Sequence, residues 1–353
     1  MKAALISEHG SYDRIEFVER PIPEPGPREV RVRIRAAGLN HLDTWVRRGV
    51  PGHQFPLPLI PGSDGAGIVD ALGPGTVSGP AGGVEEGDEV VVFPGTSCGR
   101  CAACLQGDDN LCRVYGILGE TRDGTCAQYV VVPEANLRRK PGGLSFEEAA
   151  SMPLVFQTSW SMLVRKARLK PGETVLVQAG ASGVGSAAIQ IARQQGARVI
   201  ATAGGEEKQR LCTDLGAEAV IDYRNDDVRS AVKAWLKSLP GRPSGVDVVF
   251  EHVGQDTFET SVNCLARGGR LVTCGATTGG DVRLSLHQVF FKNLEVLGNT
   301  MGTKGDLHRV HDLIEQGVFR PVVGRVLGFD ELREAHRLLE ERAVVGKVVV
   351  GLP

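Results

Sequence analysis

Apolar and polar residues follow two different rhythms along this chain. Over residues 1 to about 150 the period is two. Val30-Arg-Val-Arg-Ile-Arg35 alternates apolar and basic side chains, as a strand with one buried face does. Similar segments predict strands at 2–7, 15–20, 29–37, 67–72 and 89–93, with Pro21, Pro23, Pro25 and Gly26 breaking the chain before the third. From about residue 171 the rhythm changes. Short apolar runs at 174–178, 198–202, 219–221, 246–251, 269–273 and 294–298 alternate with helical patterns at 184–195, 206–215, 228–236 and 257–265. Such alternation predicts a parallel sheet with right-handed crossovers. After residue 300 come two helical patterns, 306–316 and 330–340, and a last strand at 346–351. These are too few for a third domain and are expected to complete the first.

The stretch at 174–185 organises the second half. An apolar strand runs into Gly180, Ser182, Gly183 and Gly185, and a helix begins near Gly183, through Val184, and stops before Gly196. Small residues let a ligand approach the backbone, and a helix N-terminus offers free N–H groups to a pyrophosphate. The spacing is G-x-S-G-x-G, with Ser182 where the middle glycine of the dinucleotide fingerprint stands. The strand at 198–202 supplies the required second half of a βαβ unit. The expected fold is therefore α/β: a Rossmann doubly wound parallel sheet at 154–299, and a β-rich, partly barrel-like domain at 1–153 and 300–353.

Composition narrows the picture. The chain has 353 residues, 42% hydrophobic and 23% charged, with a net charge of −2 and no long run of one sign. Nothing here attracts nucleic acid or an anionic membrane, and 5% aromatics argue against base stacking. No apolar stretch is long enough to span a bilayer, and the start is too short for a signal peptide, so the reading is cytoplasmic. Of 8 cysteines, four crowd together as Cys98-x2-Cys101-x2-Cys104-x7-Cys112. Four thiolates at this spacing suit a closed, structural zinc site of one Zn²⁺ per chain. The iron–sulfur alternative lacks the usual spacing and proline after its fourth cysteine.

Several motifs together carry a resemblance: Ala37-Gly-Leu-Asn-His-Leu-Asp43, Pro61-Gly-Ser-Asp-Gly-Ala-Gly67, the cysteine lobe, Gly87-Asp-Glu-Val-Val91, the 179–185 turn and Gly346-Lys-Val-Val-Val350. They resemble the medium-chain dehydrogenase/reductase superfamily of zinc-type alcohol dehydrogenases and quinone oxidoreductases, over essentially the whole chain. The resemblance implies a GroES-like catalytic domain. It also implies a second, catalytic zinc in the alcohol dehydrogenases, but the ligand positions are altered here. Asn40 stands for the first cysteine, Gly62-Ser63-Asp64 for the Gly-His-Glu stretch, and Leu154 for the last cysteine. Without that ion, no Lewis acid activates an alcohol. A rebuilt metal site from His41, Asp43 and Asp64 is the alternative.

The resemblance also directs the cofactor. The second strand ends in Thr202 and is followed by Ala203-Gly204-Gly205, with no acid to repel a 2′-phosphate. Lys208 and Tyr223 match residues that hold that phosphate in the resembling reductases, and Lys347 matches a base that reaches the cofactor phosphates. NADP(H) is therefore expected over NAD(H). Thr158, Val253, Gly275 and Asn299 would flank the nicotinamide, and Asn40 would donate to the substrate carbonyl or the carboxamide, with Asp43 and Asp64 in the same site. His252 is expected as a satisfied interior histidine that could instead line the cofactor site. The implied activity is hydride delivery from NADPH to a quinone or α,β-unsaturated carbonyl. A low-turnover nucleotide-binding protein is the rival from another class. Relatives pair the strand near 294–298 across a two-fold axis, so a homodimer or homotetramer is expected.

Overall fold

The structure is a computed structural model and describes residues 1–77, 83–238, 241 and 245–353. It divides into two compact units, Met1–Leu154 with Thr303–Pro353, and Val155–Gly302.

The first unit is built on a seven-stranded sheet. Its order is Val323–Gly328, Lys347–Gly351, Glu29–Gly38, Asp64–Leu72, Glu89–Val92 and Leu137–Arg139, with Tyr129–Pro133 also pairing Glu29–Gly38. The alternation in Glu29–Gly38 does what its pattern dictates: Val30, Val32 and Ile34 are fully buried, while the arginines between them reach outward. They join Ala3, Ala4, Ile15, Leu118, Val132, Leu332 and Val348 in one apolar core. The chain returns through helices Lys304–Glu315 and Leu332–Glu340 before adding Lys347–Gly351 beside Glu29–Gly38, antiparallel, with Val349 opposite Gly38.

The second unit is a six-stranded parallel sheet. Its order is Ala219–Ile221, Arg198–Thr202, Thr174–Val177, Val246–Glu251, Leu265–Thr273 and Glu295–Gly298. The order reverses direction between Thr174–Val177 and Val246–Glu251, and at such a switch point the ends of the strands open toward a ligand. Helix Gly183–Gln194 packs so tightly on this sheet that a Cβ at Gly185 would lie 2.4 Å from the Ala179 carbonyl oxygen. Only glycine fits there.

Several helical segments have no counterpart in the sequence pattern, His41–Arg48, Ala102–Leu105 and Phe146–Ala150 among them. Pro153–Trp160 runs on into a wider π-helical turn, Ser161–Lys166, and Leu286–Lys292 stands before the last strand of the sheet. Helix Pro153–Trp160 is buried nearly all round, its polar Gln157, Thr158 and Ser159 included, so it shows no solvent-facing stripe to read. The last sheet strand covers Glu295–Gly298, and its side chains alternate between half-buried and exposed.

Candidate functional site

The glycine turn is held by a polar network beneath it. Thr202 Oγ1 accepts the Ala179 N–H (2.9 Å) and donates to Gln178 Oε1 (2.8 Å), and Gln178 Nε2 donates to Ser261 Oγ (3.0 Å). All three side chains are buried. Thr202, one of the expected cofactor residues, thus braces the turn. Ala179 takes a left-handed φ of 47°, a conformation that costs a residue with a Cβ about 1–2 kcal/mol. Ser182 caps the helix: its Oγ accepts the Gly185 N–H at 3.0 Å. The N–H groups of Gly183 and Val184 lie in the first helical turn, where a helix end offers donors to an anion.

At the end of the second strand, Gly204 is crossed by two side chains from the third. A Cβ on Gly204 would lie 2.6 Å from Arg224 Nε and 2.9 Å from Tyr223 Cζ. Lys208 sits in the first turn of helix Glu206–Asp214. The motif resemblance points to Lys208 and Tyr223 and gives Arg224 no role. Its signal in the sequence is a basic residue directly after Tyr223, opposite two glycines.

Of the remaining expected residues of this unit, Val253, Gly275 and Asn299 follow the ends of their strands, and Thr158 lies on helix Pro153–Trp160. Val253 donates its N–H to Glu251 Oε1 (2.7 Å) and accepts the Thr278 N–H (2.8 Å). Gly275 accepts from Thr273 Oγ1 at 3.2 Å. Asn299 is buried, with Oδ1 accepting from Ser161 Oγ (2.7 Å) and Nδ2 donating to the Met301 carbonyl (2.6 Å). Thr158 is buried, and its hydroxyl has no partner among the described residues.

In the first unit, Asn40, Asp43, Asp64 and Lys347 form one buried cluster. Asn40 is the N-cap of helix His41–Arg48. Its Nδ2 donates to Asp64 Oδ2 (3.0 Å) and, more weakly, to the Gly38 carbonyl (3.3 Å). Lys347 Nζ donates to Asn40 Oδ1 (2.6 Å) and to Asp64 Oδ2 (3.1 Å), with the lysine 4% exposed and the aspartate 0%. Asp64 Oδ1 accepts the Leu154 N–H at 2.9 Å. Both oxygens of Asp43 are used by backbone: one accepts the Asn40 N–H (2.7 Å), the other the Gly62 N–H (3.0 Å). Burial pushes its carboxyl up to about 6, against those hydrogen bonds and the nearby lysine charge. Asp43 thus ties the helix start to the turn at Gly62. Ser63 Oγ is buried and has no partner among the described residues.

Two of these placements differ from the expected roles in their geometry. The Lys347 ammonium is engaged by Asn40 and Asp64, and the Asn40 amide uses its polar atoms inside the cluster. Sequence spacing could not join residues 40, 64 and 347; three neighbouring strands of one sheet do.

The four cysteines form the other cluster. Cys101 and Cys104 Sγ are 3.5 Å apart, Cys98 and Cys112 3.6 Å, and Cys98 and Cys104 3.9 Å. These separations are far too long for a disulfide of about 2.05 Å. They match the roughly 3.8 Å between sulfurs on a tetrahedron with Zn–S bonds of about 2.3 Å. The backbone N–H groups of Arg100 and Cys101 draw the Cys98 thiol down to about 6, toward the thiolate that a metal requires. The donor set therefore fits zinc. A second group, His311, Asp312 and Glu315, lies on helix Lys304–Glu315. There Asp312 is paired with Arg138 and His311 Nε2 faces the Arg139 carbonyl, as in a packed helix face.

Two family models match the chain: "Alcohol dehydrogenase GroES-like domain" over 26–142 and "Zinc-binding dehydrogenase" over 183–316. A zinc-type alcohol dehydrogenase-like protein of Schizosaccharomyces pombe is 32% identical over 100% of this chain and 99% of its own length. The chain belongs to the medium-chain dehydrogenase/reductase superfamily. A quinone oxidoreductase of Pseudomonas aeruginosa is 33% identical over 99% of both chains. A crystal structure described as an NAD-dependent alcohol dehydrogenase superposes with a TM-score of 0.93, at 49% identity over 100% of both chains. This member of the superfamily is an NAD(P)-dependent oxidoreductase. Among its described residues no helix is long and apolar enough to cross a membrane.

Proposed function

We propose that this chain is an NADPH-dependent reductase of quinones or α,β-unsaturated carbonyls that works without a catalytic zinc. The observation that carries the reading is the Lys347 ammonium, 2.6 Å from Asn40 Oδ1 and 3.1 Å from Asp64 Oδ2. Those are the two oxygen donors that a metal at this place would need, and a fixed positive charge already sits on both. Of the other two candidate ligand positions, Leu154 offers no donor and Ser63 only a neutral hydroxyl. Such a set does not fit Zn²⁺. An alcohol bound there would keep its proton, whereas an electron-poor acceptor needs no such activation.

Bound NADPH supplies the hydride. The chain's own residues orient it and stabilise charge. Ser182, Gly183 and Val184 would receive the pyrophosphate, and Arg224, Tyr223 and Lys208 the 2′-phosphate. Thr158, Val253, Gly275 and Asn299 would face the nicotinamide. Lys347, through Asn40, keeps positive charge in the acceptor's unit, where an enolate or hydroquinone anion develops. The product takes its proton from solvent. One Zn²⁺ in the cysteine lobe would be structural. The half-exposed edge at Glu295–Gly298 would pair with a second copy, giving a homodimer or homotetramer.

A second reading has its own support. The 49% identical structure is described as NAD-dependent and as an alcohol dehydrogenase. Purified protein should therefore be assayed with NADPH and NADH against quinones, enones, aldehydes and alcohols. Consumption of NADPH by quinones or enones, with one zinc per chain, supports the proposal. NADH-linked alcohol turnover with two zincs overturns it, and tight NADPH binding without turnover favours a nucleotide-binding role. Arg224→Ala should raise the KM for NADPH about tenfold and leave NADH nearly unchanged, as loss of one charge-assisted contact does.

A further inference from the structure

His252 follows strand Val246–Glu251, beside strand Thr174–Val177, and meets the glycine turn with one ring nitrogen. Its Nε2 is 2.9 Å from the Gln178 carbonyl oxygen and 3.4 Å from Ser182 Oγ. A carbonyl can only accept, so Nε2 carries the hydrogen. The neutral ring then keeps its lone pair on Nδ1, which meets no hydrogen-bonding group among the described residues. The ring is fixed edge-on against Phe250, and its backbone carbonyl accepts from Thr277 Oγ1 at 3.1 Å. An imidazole with one open nitrogen thus touches the serine that caps the anion-binding helix end.

We propose that His252 takes up one proton from solvent when the dinucleotide binds, and that the resulting imidazolium helps hold the pyrophosphate. The inference rests on the dinucleotide reading of the 179–185 turn. Burial holds the free imidazole below its ordinary pKa, so it is neutral near pH 7 before binding. The charged group that opposes this is Glu251, whose carboxylate already accepts from Val253 N–H, Gly254 N–H and the Thr257 and Ser261 hydroxyls. Across the sheet, Gln178 and Ser182 are neutral, and burial pushes the Cys274 thiol up to about 12, so it stays protonated. Two phosphate charges arriving at the helix end are the change that favours the imidazolium. By linkage, a group whose pKa rises on binding strengthens affinity as the pH falls.

Calorimetric titration of the zinc-loaded full chain with NADPH, in buffers of different ionisation heat between pH 6 and 8, tests this. The wild type should take up about one proton per site toward the acid end, with Kd tightening by up to about tenfold per pH unit. His252→Gln should lose this uptake and flatten the pH dependence of Kd. The 2′-phosphate titrates in the same range, and the variant subtracts it. Nitrogen NMR of His252 should report the Nε2–H tautomer in the free protein and both nitrogens protonated in the complex. Binding without uptake, or uptake unchanged in His252→Gln, overturns the proposal. Absence of NADPH binding at pH 8 overturns the dinucleotide reading as well, which separates the two failures.

Discussion

The cysteine lobe and the Asn40–Asp64–Lys347 cluster are both sets of converging donors within the first unit, yet they treat positive charge in opposite ways. In the lobe, thiols approach within 3.5–3.9 Å, and among the described residues no basic side chain donates to their sulfurs, although Lys304 lies near enough to feel the Cys104 charge. Thiolates so close repel one another, and an external cation relieves that repulsion. In the cluster, the chain has supplied its own cation: Lys347 sits on both oxygen donors. One set invites a metal and the other is neutralised already. The difference is chemical, since soft sulfur selects zinc while an amide and one carboxylate are satisfied by an ammonium.

The largest effect should follow from breaking the lobe. Cys101→Ser removes one of four ligands, and zinc content should fall from one per chain toward zero. Structural zinc in isolated finger peptides contributes on the order of 10 kcal/mol. Here the lobe is one part of a larger unit, so a loss of several kcal/mol is expected, read as a lowered melting temperature and rapid proteolysis near residues 94–114. Zinc retained at full occupancy would contradict the tetrahedral reading of the four sulfurs.

The cluster should break next most severely. Lys347→Met leaves Asp64 buried beside Asn40 without its counter-charge, which costs about 3–5 kcal/mol. Adding Asp64→Asn should recover much of that loss, because a neutral pair no longer strands a charge. Chemical denaturation of the two single variants and the double variant measures the coupling. Simple additivity would mean that the lysine and the aspartate do not act as a pair.

Asp43 should give a smaller, pH-dependent effect. Its carboxyl is raised from an ordinary value of 3.8 to about 6. A raised folded-state pKa means that the folded protein holds this proton more tightly than the unfolded chain does. Its contribution is therefore full below about pH 4 and is lost as the pH rises through about 6, a swing of about 3 kcal/mol. The stability of the wild type relative to Asp43→Asn should fall across that window. A difference that stays flat from pH 4 to 7 would show that the carboxylate is not penalised by its burial.

These two clusters also differ in how far amino-acid order alone reveals them. The lobe is legible because its ligands all lie between Cys98 and Cys112, and spacing brings them together. The parallel sheet is legible because strands Arg198–Thr202 and Val246–Glu251 carry short apolar cores, 199–201 and 248–250, between helical patterns. Helix Pro153–Trp160 is not, since a helix buried on all sides has no polar face to mark its period. Lys347 can be noticed in the sequence but not placed. Its partners are 307 and 283 positions away. Only the pairing of Lys347–Gly351 with Glu29–Gly38, and of that strand with Asp64–Leu72, brings ammonium, amide and carboxylate together. Arg224 escapes for the same reason: its position over Gly204 depends on the second and third strands being neighbours.

The smallest effect expected is none at all, and it sharpens the comparison most directly. Zinc added to the zinc-replete wild type should remain at one ion per chain and leave NADPH-dependent turnover unchanged. Binding a second ion at the cluster would require expelling a buried ammonium from an aspartate that pairs with no other cation among the described residues. The donors then freed are one carboxylate and one amide oxygen, a poor match to the nitrogen and sulfur ligands that hold zinc tightly. Lys347→Met removes the resident charge but supplies no new ligand, so it too should stay near one zinc. Metal analysis after dialysis distinguishes these cases. A second equivalent in the wild type would mean that Lys347 yields its place, and the contrast between a lobe whose donors fit a metal and a cluster that carries its own cation would no longer hold.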